Sequence, residues 1–131
     1  MKKSNITCII DDDPIFVFTA KKIMELADFS DSFLVFKNGK EAINHFTALL
    51  TTENTLPDVI LLDINMPVMN GWEFLDEFTK IESLKSVVIY VVSSSIDPED
   101  KERAKSYEEV SNYVVKPITI DSLKTIIENH K

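Results

Sequence analysis

Four stretches of this chain are apolar with almost no alternation: Ile6 to Ile10, Val59 to Ile64, Val87 to Val92 and Tyr113 to Val115, with Phe33 to Phe36 as a shorter fifth. A strand exposed on one face alternates polar and apolar residues, whereas a strand covered on both faces reads as a continuous apolar run. These runs therefore need a layer on each side. The intervening segments supply those layers, because their apolar residues recur with a period near 3.6. They are Ile15, Phe18, Lys22/Ile23 and Leu26; Ala42, Ile43, Phe46, Leu49 and Leu50; and Leu75, Phe78 and Ile81. A last helix is expected from about Thr119, with Leu123, Ile126 and Ile127 on its inner face. Asp13-Pro14 and Asp97-Pro98 mark two helix starts, each a capping carboxylate followed by a proline whose fixed φ suits the first turn. Strand then helix, repeated five times, pairs the strands in parallel through right-handed crossovers. The expected fold is an open, doubly wound α/β sheet.

A chain of 131 residues is the length of one domain, and the expectation is a single domain over 1–131 with no attached output domain. Its 14 Lys and Arg against 22 Asp and Glu leave a formal charge of −8, which repels phosphate backbones and anionic lipid. Direct nucleic-acid binding is disfavoured. The one cysteine, Cys8, lies in an apolar run and reads as a buried structural thiol, in keeping with a reducing, cytoplasmic compartment. The N-terminal apolar stretch is too short for a signal peptide or a membrane span.

In sheets of this kind function sits at the carboxyl ends of the strands. The first run ends at Asp11-Asp12-Asp13, the third at Asp63, the fourth at Ser93-Ser94-Ser95 and the last at Lys116-Pro117. A carboxylate leaving a buried strand, as Asp63 does, costs free energy unless something uses it. If Asp11, Asp12 and Asp63 converge, unit charges about 4 Å apart repel by roughly 4 kcal/mol per pair at an effective dielectric near 20. Such a cluster needs a cation. Hard oxygen ligands suit Mg²⁺, soft ligands for zinc are absent, and Lys116 adds a point charge for phosphate. Two glycines 32 positions apart exclude the glycine-rich cradles that hold nucleotides. The remaining chemistry is phosphoryl transfer onto a carboxylate, with Asp63 as nucleophile while Mg²⁺ and Lys116 neutralise the oxygens.

Ile9-Ile10-Asp11-Asp12-Asp13-Pro14, the run Asp58 to Gly71, Val91-Val92-Ser93-Ser94 and Tyr113-Val114-Val115-Lys116-Pro117, in this order and spacing, resemble the receiver domain of two-component response regulators. The resemblance spans essentially the whole chain and implies the flavodoxin-like (βα)5 arrangement, a five-stranded parallel sheet of order 2-1-3-4-5 with five helices. It implies that Asp63 accepts a phosphoryl group from the phosphohistidine of a sensor kinase or phosphotransfer protein. Asp12 then ligates Mg²⁺ directly, Asp11 acts through water, and Asn65 contributes its backbone carbonyl. Ser93 is the hydroxyl that turns toward the phosphate, placed ahead of Ser94 and Ser95 because it follows Val92 directly. Tyr113 is the aromatic switch. Asn65 and Ser95 border the approach of water to the phosphoryl group, so both are expected to tune dephosphorylation. The resemblance implies a signalling protein rather than an enzyme, with slow self-dephosphorylation and no catalytic residues beyond Asp63 and Lys116. Its output is altered binding to a downstream protein that the residues do not specify, a phosphorylation-dependent dimer being one form of that output.

Taken singly, these residues also have plainer readings. An acidic run is often a solvated helix start, Lys116 an ordinary loop lysine and Tyr113 a strand aromatic; only the joint spacing reverses this. Asp13 is read as a cap, Trp72 as a helix-face residue covering its loop, and His45 and His130 as surface residues. A haloacid-dehalogenase-type phosphatase would share the aspartate nucleophile and Mg²⁺, but Asp11-Asp12-Asp13-Pro14-Ile15 fails its D-x-D-x-[TV] motif at the fifth position. A receiver-like scaffold that never takes phosphate is the third reading, and the complete set Asp11, Asp12, Asp63, Ser93 and Lys116 argues against it.

Overall fold

The computed structural model describes residues 4–49, 57–66, 69–80, 87–94, 97–107, 110–116, 119 and 121–122. Five strands, β1 (Ser4–Ile10), β2 (Ser30–Phe36), β3 (Val59–Leu62), β4 (Val88–Ser93) and β5 (Val110–Val115), form one parallel sheet of order β2-β1-β3-β4-β5. Helices α1 (Pro14–Leu26), α2 (Gly39–Leu49), α3 (Gly71–Phe78) and α4 (Pro98–Lys105) connect them. The expected fifth helix falls almost wholly outside the described residues, Leu123, Ile126 and Ile127 included; residues 121–122 are helical. Leu50, Ile81 and His130 also lie outside them.

The uninterrupted apolar runs are explained by the two layers. Cys8, Ile10, Ile60, Leu62, Ile89 and Val91 point to one face, where Ala42, Phe46, Phe74, Leu75 and Phe78 of α2 and α3 cover them. Ile9, Val59, Leu61, Tyr90 and Val92 point to the other, against Phe16, Ala20 and Met24 of α1. Each strand still alternates between faces, but both faces are apolar. A large side chain buried this way stabilises the fold by roughly 1.5–3 kcal/mol.

The edge strands are longer than their apolar cores. β2 begins at Ser30 rather than Phe33, and β5 begins at Val110 rather than Tyr113. In β5 the pairing steps from Ile89↔Val110 to Tyr90↔Asn112, so Ser111 is an extra residue that breaks the period-2 pattern.

Helix α1 differs more. Its buried stripe is Phe16, Ala20 and Met24, while Ile15, Phe18 and Leu26, which set the period in the sequence, are 76%, 69% and 82% exposed. The helix carries two apolar stripes and only one faces the sheet. Its ends are set locally. The Asp13 carboxylate accepts from Ile15 N–H at 3.0 Å, with Pro14 opening the first turn. At the C-terminus Asp28 takes φ 52°, Asp28 N–H donates to the Glu25 carbonyl and Phe29 N–H to the Met24 carbonyl. That is a Schellman closure with aspartate where glycine is usual.

Candidate functional site

Parallel strands bring their carboxyl ends to one edge, and the register here aligns the residues that follow them. Ile10 of β1 pairs with Leu62 of β3, so Asp11 and Asp63 emerge side by side, joined by Asp63 N–H to the Ile10 carbonyl at 2.9 Å. Ser93 ends β4 opposite Val115, and Lys116 N–H donates to the Ser93 carbonyl at 2.8 Å. Asp11 and Lys116 thus enter one pocket with Asp63, and Ser93 ends its strand at the same edge of the sheet.

Carboxylate oxygens of Asp11, Asp12 and Asp63 lie within 4.8 Å of one another. Asp11 and Asp63 are 3% and 5% exposed, whereas Asp12 faces solvent. The Lys116 ammonium sits 2.8 Å from Asp11 Oδ2 and 3.8 Å from Asp63 Oδ2. The shorter contact is an ion pair rather than a well-directed hydrogen bond, and among the described residues the buried Asp11 Oδ2 accepts no hydrogen bond. Asp11 Oδ1 accepts from Asp13 N–H at 2.9 Å, and Asp63 Oδ1 from Asn65 N–H at a long 3.4 Å.

Burial pushes the Asp63 carboxyl up to about 6, the Asp11 charge adds to this, and Lys116 opposes it. Burial likewise raises Asp11, against the pull of Lys116. One ammonium cannot compensate three carboxylates. An under-compensated cluster of hard oxygens with an unsatisfied buried oxygen fits a hard divalent cation. Among the described residues it is the one such group of three acidic or metal-ligating side chains.

Of the residues singled out in the sequence, Ser93 is fully buried at the end of β4, and Tyr113 is half-buried on β5, packed against the α2–α3 core. The Asn65 side chain is exposed beside the pocket, and Ser94 is exposed. Ser95 and Pro117 lie outside the described residues. Cys8 is buried, which pushes its thiol well up. Two expectations need correction. His45 is half-buried, its ring 5.1 Å from that of Phe36 and 5.6 Å from that of Phe46. Trp72 is buried, with Tyr107 stacked at 6.1 Å and the Arg103 guanidinium 4.6 Å from its centroid. It ties α3 to the end of α4, where Tyr107 also donates to Asp76 at 2.7 Å.

Two features of the site went unread in the sequence. Asn70 and Glu73 form a reciprocal capping box that starts α3, and the N-x-x-E spacing carries that signal. Gly71 is required by close approach: a Cβ there would meet the Asp63 carbonyl oxygen at 2.5 Å and Ile64 Cα at 2.7 Å. The start of α3 is pressed against the backbone of the buried carboxylate.

Known proteins agree with this geometry. The family model for the response regulator receiver domain matches residues 7–128. The chain belongs to the response regulator receiver family. It is 25% identical over 126 residues to the "probable methanogenesis regulatory protein FilR2" of Methanothrix harundinacea, covering 96% of this chain and 81% of that protein. It is 29% identical to "Protein PilH" of Pseudomonas aeruginosa, over 90% of this chain and 91% of that one. With the "sensor histidine kinase CheAY" of Helicobacter pylori the identity is 30% over 91 residues, but those span only 11% of the kinase. The crystal structure of a two-component response regulator from Cytophaga hutchinsonii superposes with a TM-score of 0.86 at 31% identity, covering 97% and 96% of the two chains. The protein is thus a receiver of two-component signalling, a phosphoacceptor switch, and its Asp11, Asp12 and Asp63 cluster fits the family's phosphorylation site. No helix among the described residues is long and apolar enough to cross a membrane.

Proposed function

We propose that this receiver is a cytoplasmic switch that takes a phosphoryl group onto Asp63 from the phosphohistidine of a kinase or phosphotransfer protein. The observation that carries the reading is a buried carboxylate, 3.8 Å from a lysine ammonium and grouped with two further carboxylates, in a pocket with too little positive charge of its own. In the transfer an Asp63 oxygen attacks phosphorus, the P–N bond to the donor imidazole breaks, and an acyl phosphate forms. Lys116 meets the charge on the transferred oxygens, and the Ser93 hydroxyl gives them a further donor. Asp11, Asp12, Asp63 and the Asn65 backbone carbonyl would hold Mg²⁺. When bound, that ion neutralises the carboxylates and draws phosphoryl oxygens into its shell.

Phosphorylation adds about 1.5 to 2 negative charges and three acceptor oxygens. Turning Ser93 and Lys116 toward them opens space behind Ser93, and inward movement of Tyr113 fills it and changes the β5 face for a downstream partner, with dimerisation as one output. Asn65 and Ser95 set how fast water removes the group, and no other turnover is expected. The donor's docking surface is the outer stripe of α1. There Ile15 and Phe18 are exposed, and a groove of about 650 Å³ runs from Asp11 and Asp12 past Val17 and Phe18 to Lys21, Lys22 and Lys37.

The test is incubation with acetyl phosphate, with and without Mg²⁺, followed by intact-mass analysis. A labile phosphoryl adduct that needs Mg²⁺ and is missing from Asp63→Asn supports the reading. Folded protein that forms no adduct makes it a scaffold, and steady donor turnover without an adduct makes it a phosphatase.

A further inference from the structure

Among the described residues, the pocket cation has a neighbour that neither charge nor hydrogen bonding accounts for. Lys116 Nζ lies 4.5 Å from the centroid of the Phe16 ring, in addition to its two carboxylate contacts. Phe16 stands in the first turn of α1, three residues after the Asp13 cap, is 7% exposed, and packs in the core layer with Ile9, Ala20, Tyr90 and Val92. The fold, not the lysine, sets where the ring is.

We propose that Phe16 is a positioning residue for phosphoryl acceptance, its ring face holding the Lys116 ammonium beside Asp63 without using any of its three N–H donors; the proposal rests on the reading of Asp63 as the acceptor. A lysine ammonium is a strongly hydrated charge on a flexible stem, so left to itself it samples water as readily as a carboxylate. The resting pocket biases it further toward the wrong partner, since Asp11 is nearer than Asp63, 2.8 against 3.8 Å. An aromatic face attracts a cation with little demand on direction. The ammonium can therefore rotate an N–H from Asp11 to a phosphoryl oxygen on Asp63 while its position is kept. The ring also occupies the side from which water would otherwise hydrate the charge.

The experiment replaces Phe16 by a series of progressively fluorinated phenylalanines, which keep the shape but weaken the negative ring face, and by Phe16→Leu. Phosphorylation by acetyl phosphate is followed at saturating Mg²⁺, alongside Mg²⁺ affinity and Tm. The rate is expected to fall stepwise with fluorination, by about 3- to 10-fold at the end of the series, with Mg²⁺ affinity and Tm held. In metal-free protein the Lys116 ε-methylene protons are expected upfield of an ordinary lysine's, and Phe16→Leu removes that shift. A rate indifferent to fluorination, or the absence of the ring shift in the wild type, overturns the proposal and leaves Asp63 as acceptor. A wild type that forms no adduct overturns the acceptor reading, and this one with it.

Discussion

Asp13 and Asp63 carry the same side chain under opposite conditions. Asp13 is exposed at the start of α1, and its carboxylate satisfies a backbone N–H of the first turn, Ile15's at 3.0 Å. Asp63 is 5% exposed, its carboxylate accepts a long hydrogen bond from Asn65 N–H at 3.4 Å, and it is pushed up to about 6 by burial and by Asp11. The first aspartate works for the fold and the second against it. Asp97 belongs with Asp13, accepting from Glu99 N–H at the start of α4, while Asp11 belongs with Asp63. The separation teaches where to look for chemistry: at the carboxylates the fold holds charged at a loss.

Four substitutions sharpen this contrast, in falling order of effect. Lys116→Met leaves Asp11 and Asp63 without their cation, and metal-free protein at pH 7 is expected to lose about 3 kcal/mol in urea denaturation, a deficit that Mg²⁺ narrows. An unchanged midpoint would mean that the pocket charges are already solvated. Gly71→Ala forces a Cβ onto the Asp63 carbonyl and Ile64 Cα, so a thermal melt should show a loss of about 1–3 kcal/mol, together with slower phosphoryl uptake as the acceptor shifts. Among the helix-end aspartates the effects are smaller and leave uptake alone. Asp13→Ala should cost about 1 kcal/mol by loss of the cap. Asp28→Gly should gain roughly 0.5–1 kcal/mol, because glycine holds φ 52° without strain. If either changed the rate of phosphorylation more than Tm, the division between folding and functional aspartates would fail.

The layered sheet was legible because its central strands are apolar on both faces, and the site was legible because each of those strands ends in a polar group. What stayed hidden has physical reasons. Ser30 to Ser32 and Val110 to Asn112 belong to edge strands, which pair on one side only and tolerate polar residues, and Ser111 breaks the alternation of β5. On α1 the period was visible, but Ile15 and Phe18 are as apolar as Phe16 and Met24, and only packing shows which stripe the sheet takes. The ring of Phe16 beside Lys116 and the press of Gly71 on Asp63 join residues far apart or turned by backbone geometry, and no spacing rule reports them.

The most direct test of the central claim is the pH dependence of stability for the wild type and Asp63→Asn, measured by urea denaturation in chelator. A carboxyl near 6 when folded and near 4 when unfolded keeps its proton longer in the native state, so its burden is absent below about pH 4, grows between pH 4 and 6, and is complete above about 6. Two units correspond to roughly 3 kcal/mol, which solvent at the pocket mouth screens to roughly 2. Asp63→Asn is therefore expected to be more stable than the wild type at pH 7 by about that amount, to match it near pH 4, and to take up no phosphoryl group. An asparagine variant less stable at pH 7, or one that is still phosphorylated, would contradict the claim that this carboxylate is kept against the fold for its chemistry.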